Sequence, residues 1–160
     1  MLTSAPLDVA AQAKAANAPP DGFEPLAARG GFVHACGGFT LHRSRPILGV
    51  RVLPQHLNGI GIAHGGFLAT FADTAFGAIL RRDHHCAAAP TIHLSVDYVA
   101  PAKPGDWLEA HVAVVKVGRS VAYATCSVTA AGRTLLTSSG AFYIGGSTRG
   151  EGRPAATGPA

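Results

Sequence analysis

Apolar and polar positions follow two rhythms along this chain. From Phe67 to Leu80 the apolar residues return in pairs: Phe67 and Leu68, Phe71 and Ala72, Ala75 and Phe76, Ile79 and Leu80. That spacing puts all eight on one face of a helix. No proline interrupts the run before Pro90. Beside the apolar face lies a second stripe, small and polar, of Thr70, Asp73, Thr74 and Gly77. Asp73 is the one charge until Arg81 and Arg82, so the pattern predicts a helix wrapped on most sides. A lone carboxylate in such a helix must be solvated by a cleft, paired or at work.

Elsewhere the rhythm is two. Between Thr91 and Tyr98, positions 92, 94, 96 and 98 are apolar and 91, 93, 95 and 97 polar, which predicts a half-buried strand. Gly38 to His42 and Ile47 to Leu53 read as strands before the helix. After it, Trp107 to Val117, Ser120 to Ala130 and Thr134 to Ile144 are joined by the short links Gly118-Arg119 and Gly132-Arg133. Such links make antiparallel hairpins. Two strands, one long helix and four strands give about six strands to a single helix. The economical arrangement is α+β, a curved antiparallel sheet wrapped around one long central helix. One face of that sheet stays half bare, which predicts self-association.

The ends read differently. Residues 1–22 are rich in Ala and end in Pro19-Pro20-Asp21-Gly22, with a short helix expected over Leu7 to Lys14. Residues 147–160 read as a flexible tail of Gly, Pro, Ser and Thr, leaving 23–146 as the folded domain.

Of 160 residues, 48% are hydrophobic and 14% charged, which suits a well-buried or oligomeric protein. The net charge of +4 comes from arginines scattered along the chain. There is no basic helix and no nucleic-acid motif, so no nucleic-acid partner is expected. No stretch is long and apolar enough for a membrane span, and the N-terminus does not read as a signal peptide. Cys36, Cys86 and Cys126 are odd in number and far apart, which argues against a disulfide framework and for a cytoplasmic location. His84-His85-Cys86 is read as a solvated loop, not a metal site, and neither a metal nor a cofactor is expected.

The chemistry gathers just before the helix. Asn58 to Gly66 is too glycine-rich for a regular element, and Gly65-Gly66 fall where the first helical turn begins. Bare N–H groups there carry about half a positive charge and suit an anion. No G-x-S-x-G elbow, Walker A sequence or Rossmann glycine fingerprint is present.

The run Asn58, His64-Gly65-Gly66 and Asp73 resembles the signature of hotdog-fold thioesterases of the PaaI-like type, in the 4-hydroxybenzoyl-CoA thioesterase superfamily. The Gly22-Phe23 entry, the corner Tyr98-Val99-Ala100-Pro101-Ala102 and the hairpin Val117-Gly118-Arg119-Ser120 are similar to that group as well. The resemblance spans roughly residues 23 to 144.

It implies a hotdog fold and hydrolysis of an acyl-CoA, and Phe67, Leu68 and Phe71 suggest an apolar pocket compatible with an aryl or medium-chain acyl group. Asp73 falls on the catalytic carboxylate, general base or nucleophile, and Gly65 on the glycine whose N–H polarises the thioester carbonyl. Asn58 falls on the asparagine that holds the carbonyl or the water, His64 on the histidine before the glycine pair, and Thr91 on a hydroxyl near the water. Gly66, Phe67, Gly118, Arg119 and Ser120 are candidate contacts to substrate and CoA. The resemblance also implies a homodimer, or a dimer of dimers, with Asp73 of one subunit working beside Gly65 and Asn58 of the other. Plainer readings stand beside these: His64 as a cap, Asn58 as a turn residue, Thr91 as a β-favouring choice. A hotdog protein that binds acyl-CoA without cleaving it is the alternative function. A hydratase on the same fold needs a different Asp/His arrangement, which is not found.

Overall fold

The computed structural model describes residues 18–27 and 31–145. The short helix expected at the N-terminus and the tail over 147–160 lie outside them.

The element order is β1 (Phe23–Pro25), α1 (Gly31–Ala35), β2 (Thr40–His42), β3 (Ile47–Arg51), a 3-10 turn (Pro54–His56), α2 (Gly65–His84), β4 (Thr91–Tyr98), β5 (Trp107–Val117), β6 (Val121–Ala130) and β7 (Arg133–Tyr143). Among the described residues the strands form one antiparallel sheet in the order β1-β2-β3-β5-β6-β7-β4. The expected hotdog arrangement is what forms, with α2 packed against the sheet, and the sheet has seven strands, not about six. The seventh, β1, is three residues long and ends in Pro25, too short to show a period and allowed a proline because it is an edge. The five-residue α1 is missed for the same reason.

The paired apolar positions of α2 are all buried, with Phe71 and Phe76 completely so. They meet Leu48, Val50, Leu108, Val128, Leu136 and Phe142 from the inner faces of the strands. Each such side chain contributes about 1.5–3 kcal/mol by leaving water. On the outer face, buried Gly49 leaves room for the Trp107 and Phe23 rings to meet edge to face, 5.2 Å apart. The helix ends at His85, whose left-handed φ of 55° turns the chain, and Cys86 N–H returns to Leu80 C=O at 3.2 Å.

Strand β4 departs from strict alternation. A bulge between Thr91 and His93 puts Thr91 opposite buried Phe142, on the helix side of the sheet. Leu94 and Val96 keep their inward places, and Ile92 is left exposed. A bulge of this kind re-aims one side chain without disturbing the strand beyond it. Here the side chain is the Thr91 hydroxyl.

Candidate active site

The loop ahead of α2 is built by its own hydrogen bonds. Asn58 N–H donates to Ile62 C=O at 2.8 Å and Gly61 N–H to Asn58 C=O at 3.0 Å, with Gly61 at φ 79°. Only glycine takes that backbone without strain. The Asn58 side-chain Oδ1 accepts from Ile60 N–H (3.1 Å) and Ile62 N–H (3.3 Å). Two backbone donors on one atom identify it as the oxygen, and among the described residues the amide nitrogen has no acceptor. Asn58 is therefore a turn residue that keeps its amide donors uncommitted. The loop is fastened from outside by Ala63 N–H to Ala102 C=O (2.9 Å) and His64 N–H to His56 C=O (2.8 Å).

His64 caps α2. Its Nδ1 accepts from Gly66 N–H at 2.9 Å, which fixes the neutral ring as the Nε2–H tautomer. Gly66 thus has no N–H to offer a ligand. The first in-register bond of the helix runs from Leu68 N–H to His64 C=O. Among the described residues no acceptor meets Gly65 N–H, and no acidic side chain lies in the first turn. Gly65 N–H and Phe67 N–H are the donors left without an acceptor in this first turn, and of the two residues it is Gly65 that lines the cleft described next.

Gly65 lines a cleft of about 410 Å³ whose other walls include Asn58, Ile62, Leu68, Tyr98 and Ala100. The Tyr98 hydroxyl donates to Gly65 C=O at 2.8 Å. Sequence reasoning missed Tyr98, although its place in the corner motif, a hydroxyl-bearing aromatic ending an exposed strand, was the available signal. It missed His56 as well. His56 is no ligand but a fixed post: buried, with Nδ1 accepting from Leu53 N–H (3.0 Å) and Nε2 paired with Cys36 C=O (2.7 Å). Burial holds its pKa below the usual histidine value, and the Cys36 carbonyl offsets this only in part. Phe67, expected at the substrate, is turned into the core, stacked on His56 with centroids 3.8 Å apart. Phe71 is buried as well, so of the helix's apolar face only Leu68 reaches the cleft.

Asp73 is elsewhere. Its half-buried carboxylate accepts at Oδ1 from the Thr91 hydroxyl, 2.6 Å away. With its proton committed there, Thr91 Oγ1 can only accept from a third partner such as water. The hairpin turn at Gly118, Arg119 and Ser120 lies at this same end of the sheet. Ile144 N–H reaches Ser120 C=O, Tyr143 N–H reaches Pro90 C=O, and Thr91 pairs with Phe142. Gly65 and Asp73 are eight residues apart on one helix, about 12 Å at ~1.5 Å per residue. One chain therefore brings together Asn58, His64 and Gly65, and separately Asp73 and Thr91, but does not join the two groups. Among the described residues no cluster of His, Cys, Asp and Glu is placed to hold a metal ion. Among the described residues no helix is long and apolar enough to cross a membrane.

Comparisons with known proteins bear on the fold and the family. The profile of the thioesterase superfamily matches residues 60–137. A putative esterase of Pseudomonas aeruginosa is 31% identical over 129 residues, spanning 78% of this chain and 96% of its own. Human acyl-coenzyme A thioesterase 13 is 29% identical over 101 residues, 61% of this chain and 72% of its own. A single-substitution variant of the phenylacetic acid degradation protein PaaI from Thermus thermophilus superposes with a TM-score of 0.61 at 29% identity, covering 70% of this chain and 96% of that one. With this fold and these relatives, the chain belongs to the thioesterase superfamily and is a thioester hydrolase.

Proposed function

We propose that the substrate is an acyl-CoA with an aryl or medium-chain acyl group, and that the working enzyme is a homodimer with two composite sites. One observation carries the reading: a free helix-start N–H and a hydroxyl-bonded carboxylate sit on one helix, yet about 12 Å apart. Neither suffices alone, and a second copy supplies what the first lacks. The outer edge of β4 favours such pairing. It has no neighbouring strand among the described residues, and Ile92 (58%), Tyr98 (55%) and Val99 (59%) are exposed along it. An apolar unpaired edge is a template for another strand. The half-buried stripe of Thr70, Asp73 and Thr74 adds a small-residue surface beside it.

In the proposed reaction the thioester oxygen enters the donor half, against Gly65 N–H and the Asn58 amide. Asp73 of the partner subunit takes a proton from a water that also donates to Thr91. The water oxygen bonds to the carbonyl carbon, and the negative charge on the carbonyl oxygen is met by fixed donors. Collapse breaks the carbon–sulfur bond, and the CoA thiolate leaves and is protonated. Gly118, Arg119 and Ser120 are the proposed CoA contacts. The cleft is in the range of small-molecule sites, and its apolar wall at Ile62 and Leu68 suits the acyl group. The catalytic unit is the domain 23–146. Three free thiols, two of them buried, fit a reducing compartment such as the cytoplasm. The test is a panel of acyl-CoAs incubated with purified protein and a thiol reagent. Aryl and medium-chain members should release CoA fastest; release from none of them rules the reading out.

A further inference from the structure

The start of α2 is soft by composition. Two glycines in its first turn each cost about 1 kcal/mol of helix propensity relative to alanine, and neither has a side chain to pack. A donor that must wait in one direction for developing charge cannot sit on a fraying turn. The Gly65–Gly66 peptide nevertheless has both of its polar groups engaged by side chains. Its N–H donates to His64 Nδ1 at 2.9 Å. Its C=O accepts from the Tyr98 hydroxyl at 2.8 Å, from the opposite side. The two peptides before it are each held at one group: in His64–Gly65 the His64 C=O accepts from Leu68 N–H, and in Ala63–His64 the His64 N–H donates to His56 C=O.

Tyr98 also touches the turn with its ring. A Cβ on Gly65 would lie 3.2 Å from both Cζ and the hydroxyl oxygen of Tyr98, closer than a methyl group accepts without displacement. The glycine thus admits the tyrosine as much as the substrate. The aligned series from Tyr98 O–H through the peptide to His64 Nδ1 polarises in one direction, so each bond supports the next.

We propose that Tyr98 is a positioning residue for the thioester-oxygen site: from β4 it clamps the Gly65–Gly66 peptide against the hold of His64, so that Gly65 N–H faces the cleft. This rests on the proposed role of Gly65 but is separable from it. Tyr98→Phe keeps the ring and removes only the hydroxyl. Gly66 N–H should then exchange with solvent about five- to tenfold faster, the effect of losing one net hydrogen bond beside it. Turnover on the best acyl-CoA should fall about tenfold with KM little changed, as a loosened donor predicts. Melting temperature and oligomeric state should stay close to wild type. Tyr98→Leu, which also loses the ring, should go further in exchange and in turnover.

Wild-type Gly66 exchange and turnover in Tyr98→Phe overturn the clamp. So does a loss of turnover that tracks a loss of melting temperature, which describes a merely structural tyrosine. If the wild-type protein hydrolyses no acyl-CoA, the functional reading fails instead, and Gly66 exchange still decides whether Tyr98 holds the peptide.

Discussion

At its first residue α2 presents a backbone N–H; two turns later it presents a carboxylate. The first is made by conformation. A loop closed by Asn58, a cap from His64, a post at His56 and a hydroxyl from Tyr98 surround the open Gly65 N–H. The second is made by identity, since Asp73 needs only a helix to stand on and Thr91 within reach. In the proposed mechanism many residues share the work of aiming the donor half, and each should be dispensable in part. The proposed base half has two members and should have no redundancy. Substitutions should therefore act all-or-none at one end of the site and by degrees at the other.

The largest effect is expected at Asp73. Asp73→Asn keeps the shape and the hydrogen bond from Thr91 but cannot take a proton. One positioned acid or base supplies about 10²–10⁴ in rate. Turnover on the best acyl-CoA should fall by that factor while circular dichroism is unchanged. A variant that keeps more than about a tenth of wild-type turnover, well outside that range, removes Asp73 from the mechanism.

The same asymmetry governs what the sequence disclosed. The helix, six of the strands and the isolation of Asp73 are written in periodicity and composition, because burial imposes a period and a lone charge breaks it. Thr91 could be named, but its approach to Asp73 depends on the bulge in β4. Strict alternation puts Thr91 on the outer face with His93, and nothing local in the sequence marks the slip. Phe67 shows the same limit from the other side: its apolar character suits a pocket or a core alike, and only the fold stacks its ring on His56. Tyr98 and His56 act through contacts 33 and 20 residues away in sequence, to Gly65 and Cys36, which no window of residues displays.

At the donor end, Gly65→Ala should lower turnover by about 10²–10³, the usual cost of an oxyanion donor. Asn58→Ala should act on the same oxygen, and the two losses should not add in a double-mutant cycle. Asn58→Ala also frees Ile60 and Ile62 N–H, so it should cost stability that Gly65→Ala does not. Strict additivity in turnover means the two groups serve different atoms.

Joining the halves gives a smaller but more discriminating effect. If the site is composite, a dimer of one Asp73→Asn chain and one Gly65→Ala chain carries one intact site and one doubly damaged site. Co-expressed with two different tags and purified through both, such hybrids should show about half the wild-type rate per dimer, as two-fold symmetry requires. Either variant alone stays nearly inactive. Hybrids no faster than the parents would mean that each site is built within one chain.

The smallest effect separates the halves by pH. His56 serves only the donor half, stacking on Phe67 and giving its C=O to His64 N–H. Burial lowers its pKa in the folded chain from the ordinary 6.5, because a charged ring there loses water and sets a second N–H against Leu53 N–H. Above pH 6.5 the ring is neutral in folded and unfolded chains alike and adds no pH dependence. Below 6.5 the unfolded chain takes up a proton that the folded chain resists, so stability falls as pH drops toward the folded value. Each unit of difference is worth about 1.4 kcal/mol, and each kcal/mol moves Tm by about 2–4 °C for a chain of this size. His56→Asn supplies an acceptor for Leu53 N–H that does not titrate. It should melt lower than wild type at pH 7.5, having lost Cys36, yet lose less Tm between pH 7.5 and pH 5.5. His42, whose pKa burial and Arg45 also lower, is present in both proteins and cancels in the difference. Parallel Tm–pH curves for the two proteins would show that His56 takes up its proton equally in the folded and unfolded chains, and that acid does not act on the donor half through it.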